Sequence, residues 1–167
     1  MKYLYCDIDS TVNNHWERIK KWAIPSFPGH SIHPRAFTRE EIMKDKPLPG
    51  AKRILNMFKE GGYKIIFLTA RKFDDAYGIT TDWLDEHGFV YDDVIVVDNS
   101  EAKVPIIQKA MEEDKMDLFI DDFSAGQEYG PSYKNLYVGV IEDLQILGAH
   151  VEVFKGDWQE VEEKFEI

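Results

Sequence analysis

The 167-residue sequence predicts an α/β fold built on a parallel sheet, and three observations lead to that prediction. Short apolar runs recur along the chain, segments with helical spacing lie between them, and glycines mark the ends of several segments. Strands that alternate with helices are joined by crossovers, which place the strands parallel in one sheet. A chain of this length fits one domain with a single core.

The predicted strands are short apolar or aromatic runs with polar residues at their ends. In chain order they cover Lys2–Asp7, Tyr63–Thr69, Asp93–Val97, Asp117–Ile120, Asn135–Val140 and Val151–Phe154. Runs of this length and composition are typical of strands that are buried on both faces of a parallel sheet.

The predicted helices each place apolar residues on one face. These faces contain Ala51, Ile54, Leu55 and Phe58 in the first helix, Ala76, Ile79, Trp83 and Leu84 in the second, and Val104, Ile107 and Met111 in the third. Gly50 precedes the first of these helices and Gly61 ends it. Asp157, with Glu160 three residues later, predicts the N-cap of a last helix.

Residues 13–47 interrupt this alternation. They contain several prolines, a short predicted helix capped by Thr38, and the aromatic residues Trp16, Trp22, Phe27 and Phe37. Loops of this length inside a compact fold are commonly lids or binding loops. We therefore predict a small cap insertion at 13–47 within one domain that covers residues 1–167. Its aromatic residues are expected either to stack on a substrate or to form a small core of their own.

The charge of the chain restricts its partners. Twenty basic and 31 acidic residues give a net charge of -11, which repels long nucleic acids and favours a small phosphorylated molecule. No apolar run approaches the roughly 18 residues that span a bilayer, and the first residues enter a strand pattern directly. We therefore expect a cytoplasmic protein without a membrane partner. The sequence does not indicate an oligomeric state.

Carboxylates follow two of the predicted strands. Asp7 and Asp9 end the first strand on the same side, and Asp121 and Asp122 follow the strand at 117–120. Ligands of open parallel sheets bind at the carboxyl ends of the strands, so we expect the four acids at one edge. Like charges about 4 Å apart repel by about 4 kcal/mol at an effective dielectric of 20, so such a cluster needs a cation or protons. Oxygen ligands favour Mg²⁺ over zinc.

Two more side chains are candidates for binding phosphate at that edge. Thr69 ends the second long strand and is followed by Ala70 and Arg71, and its hydroxyl can donate to a phosphate oxygen. Lys103 lies near the start of the third helix and can bring an ammonium group to the same place. Taken singly, each of the two residues is also explained by an ordinary structural position. Cys6, the single cysteine, is predicted to be a buried structural thiol, and His15 a polar loop residue.

Taken together, these residues resemble the haloacid dehalogenase-like (HAD) phosphohydrolase superfamily. There the first strand ends in D-x-D followed by a small residue and Thr, the second ends in Thr or Ser, a Lys follows, and an acidic pair ends a later strand. The corresponding residues here are Asp7-Ile8-Asp9-Ser10-Thr11, Thr69, Lys103 and Asp121-Asp122. The resemblance runs from Lys2 to about Phe123. It implies a three-layer Rossmann-like core, with residues 13–47 as the cap after the first strand.

Two short segments further resemble the branch that contains 5'(3')-deoxyribonucleotidases and related nucleotidases. They are Pro47–Ala51 and Leu68–Arg71. Two positions depart from the pattern. Ser10 stands where the superfamily usually has Gly, and the spacing from Lys103 to the acidic pair is longer than in the deoxyribonucleotidases. Lys109 therefore remains a second candidate for the phosphate-binding lysine.

The resemblance implies a Mg²⁺-dependent phosphatase that cleaves a phosphomonoester, most simply a 5' or 3' nucleotidase. Asp7 is implied as the nucleophile that becomes an aspartyl-phosphate, and Asp9 as the acid and then the base. The implied phosphate-binding residues are Thr69, Ala70 and Lys103. The implied metal ligands are Asp7, the backbone carbonyl of Asp9, and Asp122 or Asp121.

Two alternatives stay open. A polynucleotide 3'-phosphatase can use a similar domain, although the net charge disfavours nucleic-acid ends as partners. A non-catalytic receiver-like module also gathers acids, Thr and Lys around Mg²⁺ at the end of a parallel sheet. It predicts stable phosphorylation without turnover, which the acid at Asp9 argues against.

Overall fold

A computed structural model describes residues 1–26, 29–124, 133 and 136–166, and only the backbone of residues 25, 26, 29 and 30. The strands are β1 (Lys2–Cys6), β2 (Ala23–Ser26), β3 (Gly29–Ile32), β4 (Tyr63–Ala70), β5 (Asp93–Val97), β6 (Leu118–Asp121) and β7 (Val151–Val153). The helices are α1 (His15–Ile19), α2 (Arg39–Ile42), α3 (Ala51–Glu60), α4 (Ala76–Glu86), α5 (Lys103–Glu112), α6 (Val138–Ile146) and α7 (Trp158–Phe165). Within this described part, no helix has the length and apolar character that a membrane span requires.

Five strands form one parallel sheet in the order β5-β4-β1-β6-β7. β1 lies in the centre and pairs with both β4 and β6, so the carboxyl ends of all three strands meet at one edge. This arrangement confirms the predicted α/β fold class with a parallel sheet.

Side chains of the sheet alternate between two hydrophobic layers. In β1, Leu4 and Cys6 pack with α3, α4 and α7, whereas Tyr5 packs on the opposite face with α5 and α6. Burial of both faces explains why the strands are almost continuously apolar. Cys6 is fully buried, as predicted. Burial, with the charge of Asp7 as the next cause, raises the pKa of its thiol well above the ordinary value.

Local signals set the ends of several helices. Gly50 precedes α3 with φ of 83°, a left-handed conformation that suits glycine, and a Cβ there would lie 3.3 Å from Cβ of Trp158. The Asp157 side chain accepts a hydrogen bond from the backbone N–H of Gln159 at 2.9 Å and caps α7. Thr38 caps α2 through the N–H of Glu41. Both caps are at the predicted residues.

The predicted strand at Asn135–Val140 is wrong. Residues 134 and 135 lie outside the described part of the chain, and α6 begins at Val138. Val138 and Val140 are β-branched, which favoured a strand, but β6 and β7 are parallel neighbours that need a crossover between them. Val140 and Leu144, four residues apart, supply the buried face of that crossover helix.

Residues 13–47 leave the core and return to it at one point. Asn13 and Pro47 form an antiparallel bridge, and the N–H of Asn14 donates to the carbonyl of Lys46 at 2.7 Å. Between these ends lie α1, the antiparallel β2–β3 hairpin and α2. Of the predicted aromatic residues, Phe37 stacks on Phe73 of the core, and Phe27 lies outside the described residues. That this insertion covers a bound substrate stays a prediction.

Candidate active site

Asp7 and Asp9 leave β1 through a tight turn. The N–H of Asp7 donates to the carbonyl of Ile120 at 2.9 Å, so pairing with the β6 side continues past the last residue of β1. Ser10 has φ of 64°, and its N–H donates to Oδ1 of Asn13 at 2.9 Å. This left-handed conformation explains physically why a glycine suits the Ser10 position.

Three carboxylates from β1 and β6 meet at the edge of the sheet. Oxygens of Asp7, Asp121 and Asp122 all lie within 4.8 Å of one another, and each side chain is buried. The Thr11 hydroxyl lies 3.1 Å from both Asp7 Oδ2 and Asp122 Oδ1, and it accepts the N–H of Asp122 at 3.1 Å. One hydroxyl proton can be donated to only one of the two carboxylates at a time, so Thr11 does not satisfy both acceptors.

Lys103 is the cation of this cluster. Its Nζ donates to Asp121 Oδ2 at 2.7 Å and to Asp7 Oδ1 at 3.1 Å, and its side chain is buried. Burial alone lowers the pKa of the ammonium group, but the charges of Asp121 and Asp7 outweigh burial and raise that pKa above its ordinary value. Lys103 is therefore charged at neutral pH. Lys109, the second candidate from the sequence, is exposed on the same helix.

One ammonium does not neutralise three acids. Burial first, and then the charge of Asp7, raises the pKa of Asp121 to about 7 and that of Asp122 well above its ordinary range. Oδ2 of Asp122 is buried without a hydrogen-bond partner among the described residues. Both oxygens of Asp121 are in use, since Lys103 and the N–H of Phe123 bind them. The cluster therefore fits Mg²⁺, and Asp122 has the oxygen that is open to it.

The Asp9 carboxylate faces a different partner. Nε and Nη2 of Arg71 donate to its two oxygens at 3.1 and 2.8 Å, and Asn13 Nδ2 donates at 3.1 Å. Nη1 of Arg71 donates to the Thr80 hydroxyl at 2.9 Å, which holds the guanidinium in place. Burial raises the pKa of Asp9, but the charges of Arg71 and His15 and these hydrogen bonds outweigh it and hold that pKa well below its ordinary range. Asp9 is therefore ionised in this geometry.

A buried polar network connects Asp9 to the insertion. His15, predicted as a polar loop residue, is instead buried, with Nδ1 3.4 Å from Asp9 Oδ1 and 3.3 Å from Asp45 Oδ2. Asp45 also accepts from Asn13 Nδ2 at 3.3 Å and from Arg18 Nε at 2.6 Å. Sequence reasoning missed this network because its members lie far apart along the chain. Of these residues, only Arg71 could have been linked to the site from the sequence, because it follows Thr69 by two residues.

An open cavity of about 250 Å³ lies over these groups. Its walls include Ala70, Lys103, Ser124, the carboxylates at positions 7, 9, 121 and 122, and the loop residues 98–100, which sequence reasoning did not select. Thr69 is fully buried next to Ala70, and its hydroxyl has no hydrogen-bond partner in the described part of the chain. Thr69 is not among the residues that line the cavity, so its role as a donor to a bound oxyanion stays a prediction.

Comparisons with known proteins agree with this core. A family model described as PITM 1-3, LNS2 domain, matches residues 32–136. No curated protein matches the chain. A hydrolase from Streptococcus pneumoniae is 13% identical with a TM-score of 0.61, and the match covers 100% of both chains. A phosphoserine phosphatase, described as a phospho-aspartyl intermediate analogue, is 15% identical with a TM-score of 0.52 and 98% coverage of both chains.

A third similar structure belongs to a larger assembly. It is the Pnkp1/Rnl/Hen1 complex, at 17% identity and a TM-score of 0.54, and the match covers 93% of this chain and 47% of that one. At these identities the likenesses show the fold alone, which is the α/β core with a parallel sheet described above. They leave the nucleotidase-like branch undecided.

Proposed function

The chain belongs to the family described as PITM 1-3, LNS2 domain, and for this member we propose a Mg²⁺-dependent phosphatase that hydrolyses a phosphomonoester through an aspartyl-phosphate on Asp7. We propose a nucleotide as the substrate, because Pro47–Ala51 and Leu68–Arg71 are similar to nucleotidase segments. The observation that carries the phosphatase proposal is the meeting of Asp7, Asp121 and Asp122 around Lys103, beside a separately held Asp9.

Asp7 is the proposed nucleophile because its carboxylate lines the cavity and is held from two sides. Lys103 lies 3.1 Å from Oδ1, and Thr11 lies 3.1 Å from Oδ2. One of these oxygens attacks phosphorus in line, the bond from phosphorus to the leaving oxygen breaks, and the phosphoryl group stays on Asp7. Lys103 and Thr69 then face the charge that is redistributed over the phosphoryl oxygens.

Asp9 is the proposed proton-transfer group. As an ionised carboxylate it is ready to accept a proton from the water that cleaves the aspartyl-phosphate. Protonation of the leaving oxygen in the first step needs the acid form, which the contacts with Arg71 oppose in the present geometry. The geometry therefore supports the base role more directly than the acid role. Arg71 acts through Asp9 and is a positioning residue.

Mg²⁺ would be held by Asp7, Asp122 and the backbone carbonyl of Asp9, with Asp121 bound to Lys103 beside it. When bound, the ion neutralises the phosphate and the nucleophile enough for them to approach. Binding at 100 times the dissociation constant stabilises a protein by about 2.7 kcal/mol, which for this size raises Tm by roughly 5 to 10 °C. Asp122→Asn should lose this shift, whereas the matched control Asp143→Asn, an exposed acid in α6, should keep it.

The direct test is phosphate release from a panel of substrates with and without Mg²⁺. Nucleoside 5'- and 3'-monophosphates are compared with sugar phosphates, and Asp7→Asn is run beside the wild type. We expect Mg²⁺-dependent release that favours nucleotides and is abolished by Asp7→Asn. Release that persists in Asp7→Asn would exclude Asp7 as the nucleophile, and preference for sugar phosphates would exclude the nucleotidase.

A polynucleotide 3'-phosphatase is a second candidate, favoured by the likeness to the complex with Pnkp1, Rnl and Hen1, which is also described as an RNA repair complex. The net charge of -11 disfavours long nucleic acids. Adding 3'-phosphorylated oligonucleotides to the panel separates the two candidates. The receiver-like alternative predicts a phosphorylated protein that persists without turnover, so loss of labelled phosphate from Asp7 within seconds would exclude it.

A further inference from the structure

A second cavity, of about 200 Å³, lies beside the phosphate cavity. Asp9 and Ala70 line both cavities, so the two meet at the proposed proton-transfer group. The remaining walls are formed by His15, Phe37, Ile42, Arg71, Lys72 and Phe73. A molecule whose phosphate lies in the first cavity can therefore extend past Asp9 into the second.

Half of the residues that line the second cavity are apolar, and two of these are aromatic. Phe37 comes from the insertion and Phe73 from the segment after β4, and their rings stack with centroids 5.8 Å apart and planes 12° apart. Ile42 is buried beside them. The guanidinium of Arg71 lies 6.0 Å from the centroid of Phe73. Such a surface favours contact with a planar apolar group.

The charge of this cavity is opposite to that of the whole chain. Asp9 is the one acid among its lining residues, and Arg71 neutralises it through two hydrogen bonds. Lys72 is exposed and has no carboxylate partner among the residues that the structure describes. A protein with a net charge of -11 thus presents an unpaired cation at this wall, which favours an anionic group on the ligand.

The volume limits the part of the ligand that this open cavity can hold. An apolar cavity of about 150 Å³ encloses benzene, so about 200 Å³ holds one ring with a small substituent. Resting on the proposed phosphohydrolase, we infer that this cavity is a leaving-group subsite for a single planar ring that carries an anionic group. Phe37 and Phe73 contact the ring, and Lys72 faces the anion. A pyrimidine base meets the ring condition, whereas a purine base, with two fused rings, does not.

The test uses phosphonates, whose carbon–phosphorus bond the enzyme does not hydrolyse. Binding of methylphosphonate, benzylphosphonate and 4-carboxybenzylphosphonate is measured by titration calorimetry with and without Mg²⁺. We expect benzylphosphonate to bind about tenfold more tightly than methylphosphonate, and the carboxylate to add about threefold. Phe37→Leu or Phe73→Leu should reduce the benzyl preference by about two- to tenfold, and Lys72→Met should remove the carboxylate gain.

Matched variants control for general effects. Tyr77→Leu changes an exposed aromatic residue that is 57% exposed and does not line the cavity. Lys115→Met removes an exposed lysine. Lys103 is the first residue of α5, and Lys115 lies after the other end of that helix. Both controls should keep the wild-type preferences. Equal binding of benzyl- and methylphosphonate, or preferences that survive in the Phe37, Phe73 and Lys72 variants, would overturn the inference.

Turnover of benzyl phosphate separates this inference from the proposed function. Asp7-dependent hydrolysis without any benzyl preference would refute the subsite and leave the phosphatase in place. Selective binding of benzylphosphonate without hydrolysis of benzyl phosphate would refute the phosphatase and leave the subsite in place. The binding experiment and the turnover experiment thus test the subsite and the phosphatase separately.

Discussion

Arg71→Met should destabilise the protein through the carboxylate that it leaves behind. Arg71 is paired with Asp9 by hydrogen bonds of 2.8 and 3.1 Å, and the side chains are 2% and 16% exposed. Unit charges 2.8 Å apart attract by about 6 kcal/mol at an effective dielectric of 20, before the cost of desolvation. Removal of one partner of a buried pair typically costs 3 to 5 kcal/mol, because the other charge is left unpaired.

We expect the lower end of that range, about 3 kcal/mol, because Asp9 keeps its hydrogen bond from Asn13 and some contact with solvent. For a chain of this size the loss corresponds to a fall in Tm of roughly 6 to 12 °C. The double variant Asp9→Asn/Arg71→Met should be less destabilised than the sum of the two single variants, because neither charge remains unpaired. The unfolding free energies and the Tm values of these variants are measured by urea and thermal unfolding.

The matched control is Arg53→Met, which breaks an ion pair with Glu162 at the surface, where the side chains are 60% and 30% exposed. Exposed pairs typically contribute less than about 1 kcal/mol, so this variant should unfold almost like the wild type. A loss below about 1 kcal/mol for Arg71→Met, or additive effects in the double variant, would refute the assignment of Arg71 as the partner that holds Asp9.

The same pair predicts a dependence on pH. Because the folded pKa of Asp9 lies below its unfolded value of about 3.9, ionised Asp9 stabilises the native state above that value. This contribution is lost as the pH falls through the folded pKa. The difference in unfolding free energy between wild type and Arg71→Met should therefore be full at neutral pH and should shrink below about pH 4. A difference that is constant from pH 7 to pH 3 would contradict this prediction.

Five further variants test three local features. Ser10→Gly should change the unfolding free energy, measured in urea, by less than about 1 kcal/mol. Glycine relieves the strain of a φ of 64° but also gives the unfolded chain more freedom, and the two effects offset each other. Ser10→Val should destabilise the protein, because a β-branched residue does not suit this φ. Gly50→Ala should cost more than Gly62→Ala, since both have positive φ but only Gly50 would also bring a Cβ to 3.3 Å from Trp158. Equal losses of unfolding free energy in the two variants would mean that the positive φ alone, and not the contact with Trp158, causes the loss. Arg39→Ala breaks exposed ion pairs with Asp75 and Asp82. Its loss of unfolding free energy should be smaller than that of Arg71→Met and should decrease as salt is added. A loss that persists in high salt would contradict this account.

Local pattern was sufficient for the strands of the parallel sheet and for most helices. It was insufficient for α6, and it did not predict α1 or the β2–β3 hairpin of the insertion. The run that became β1 and the apolar face of α3 are encoded by neighbouring residues, so their periods of about 2 and 3.6 could be found without the fold. The start of α6, Val138–Val140, was misassigned as part of a strand because its β-branched residues fit both periods. The need for a crossover between β6 and β7 decided for a helix, and that need arises from the sheet.

The candidate site residues at strand ends could likewise be found from the sequence. Which of two nearby candidates has the proposed role could not. Lys103 and Lys109 lie on one helix, and only the packing of α5 against the sheet shows that Lys103 contacts Asp7 while Lys109 is exposed. Asp121 and Asp122 are adjacent in sequence. Their different hydrogen-bond partners, Lys103 for one and Thr11 for the other, distinguish them only in three dimensions.

The sequence by itself determined the parallel α/β core and the strand ends at which acids, a threonine and a lysine gather. Backbone periodicity is a local property, and strands that alternate with helices are joined by crossovers that make them parallel. Only the tertiary structure decided which partners surround each acid. Asp9 is held by Arg71, and the burial of His15 and the open oxygen of Asp122 follow from contacts between distant segments. Desolvation and Coulomb energies depend on distances in space, and spacing along the chain does not encode them.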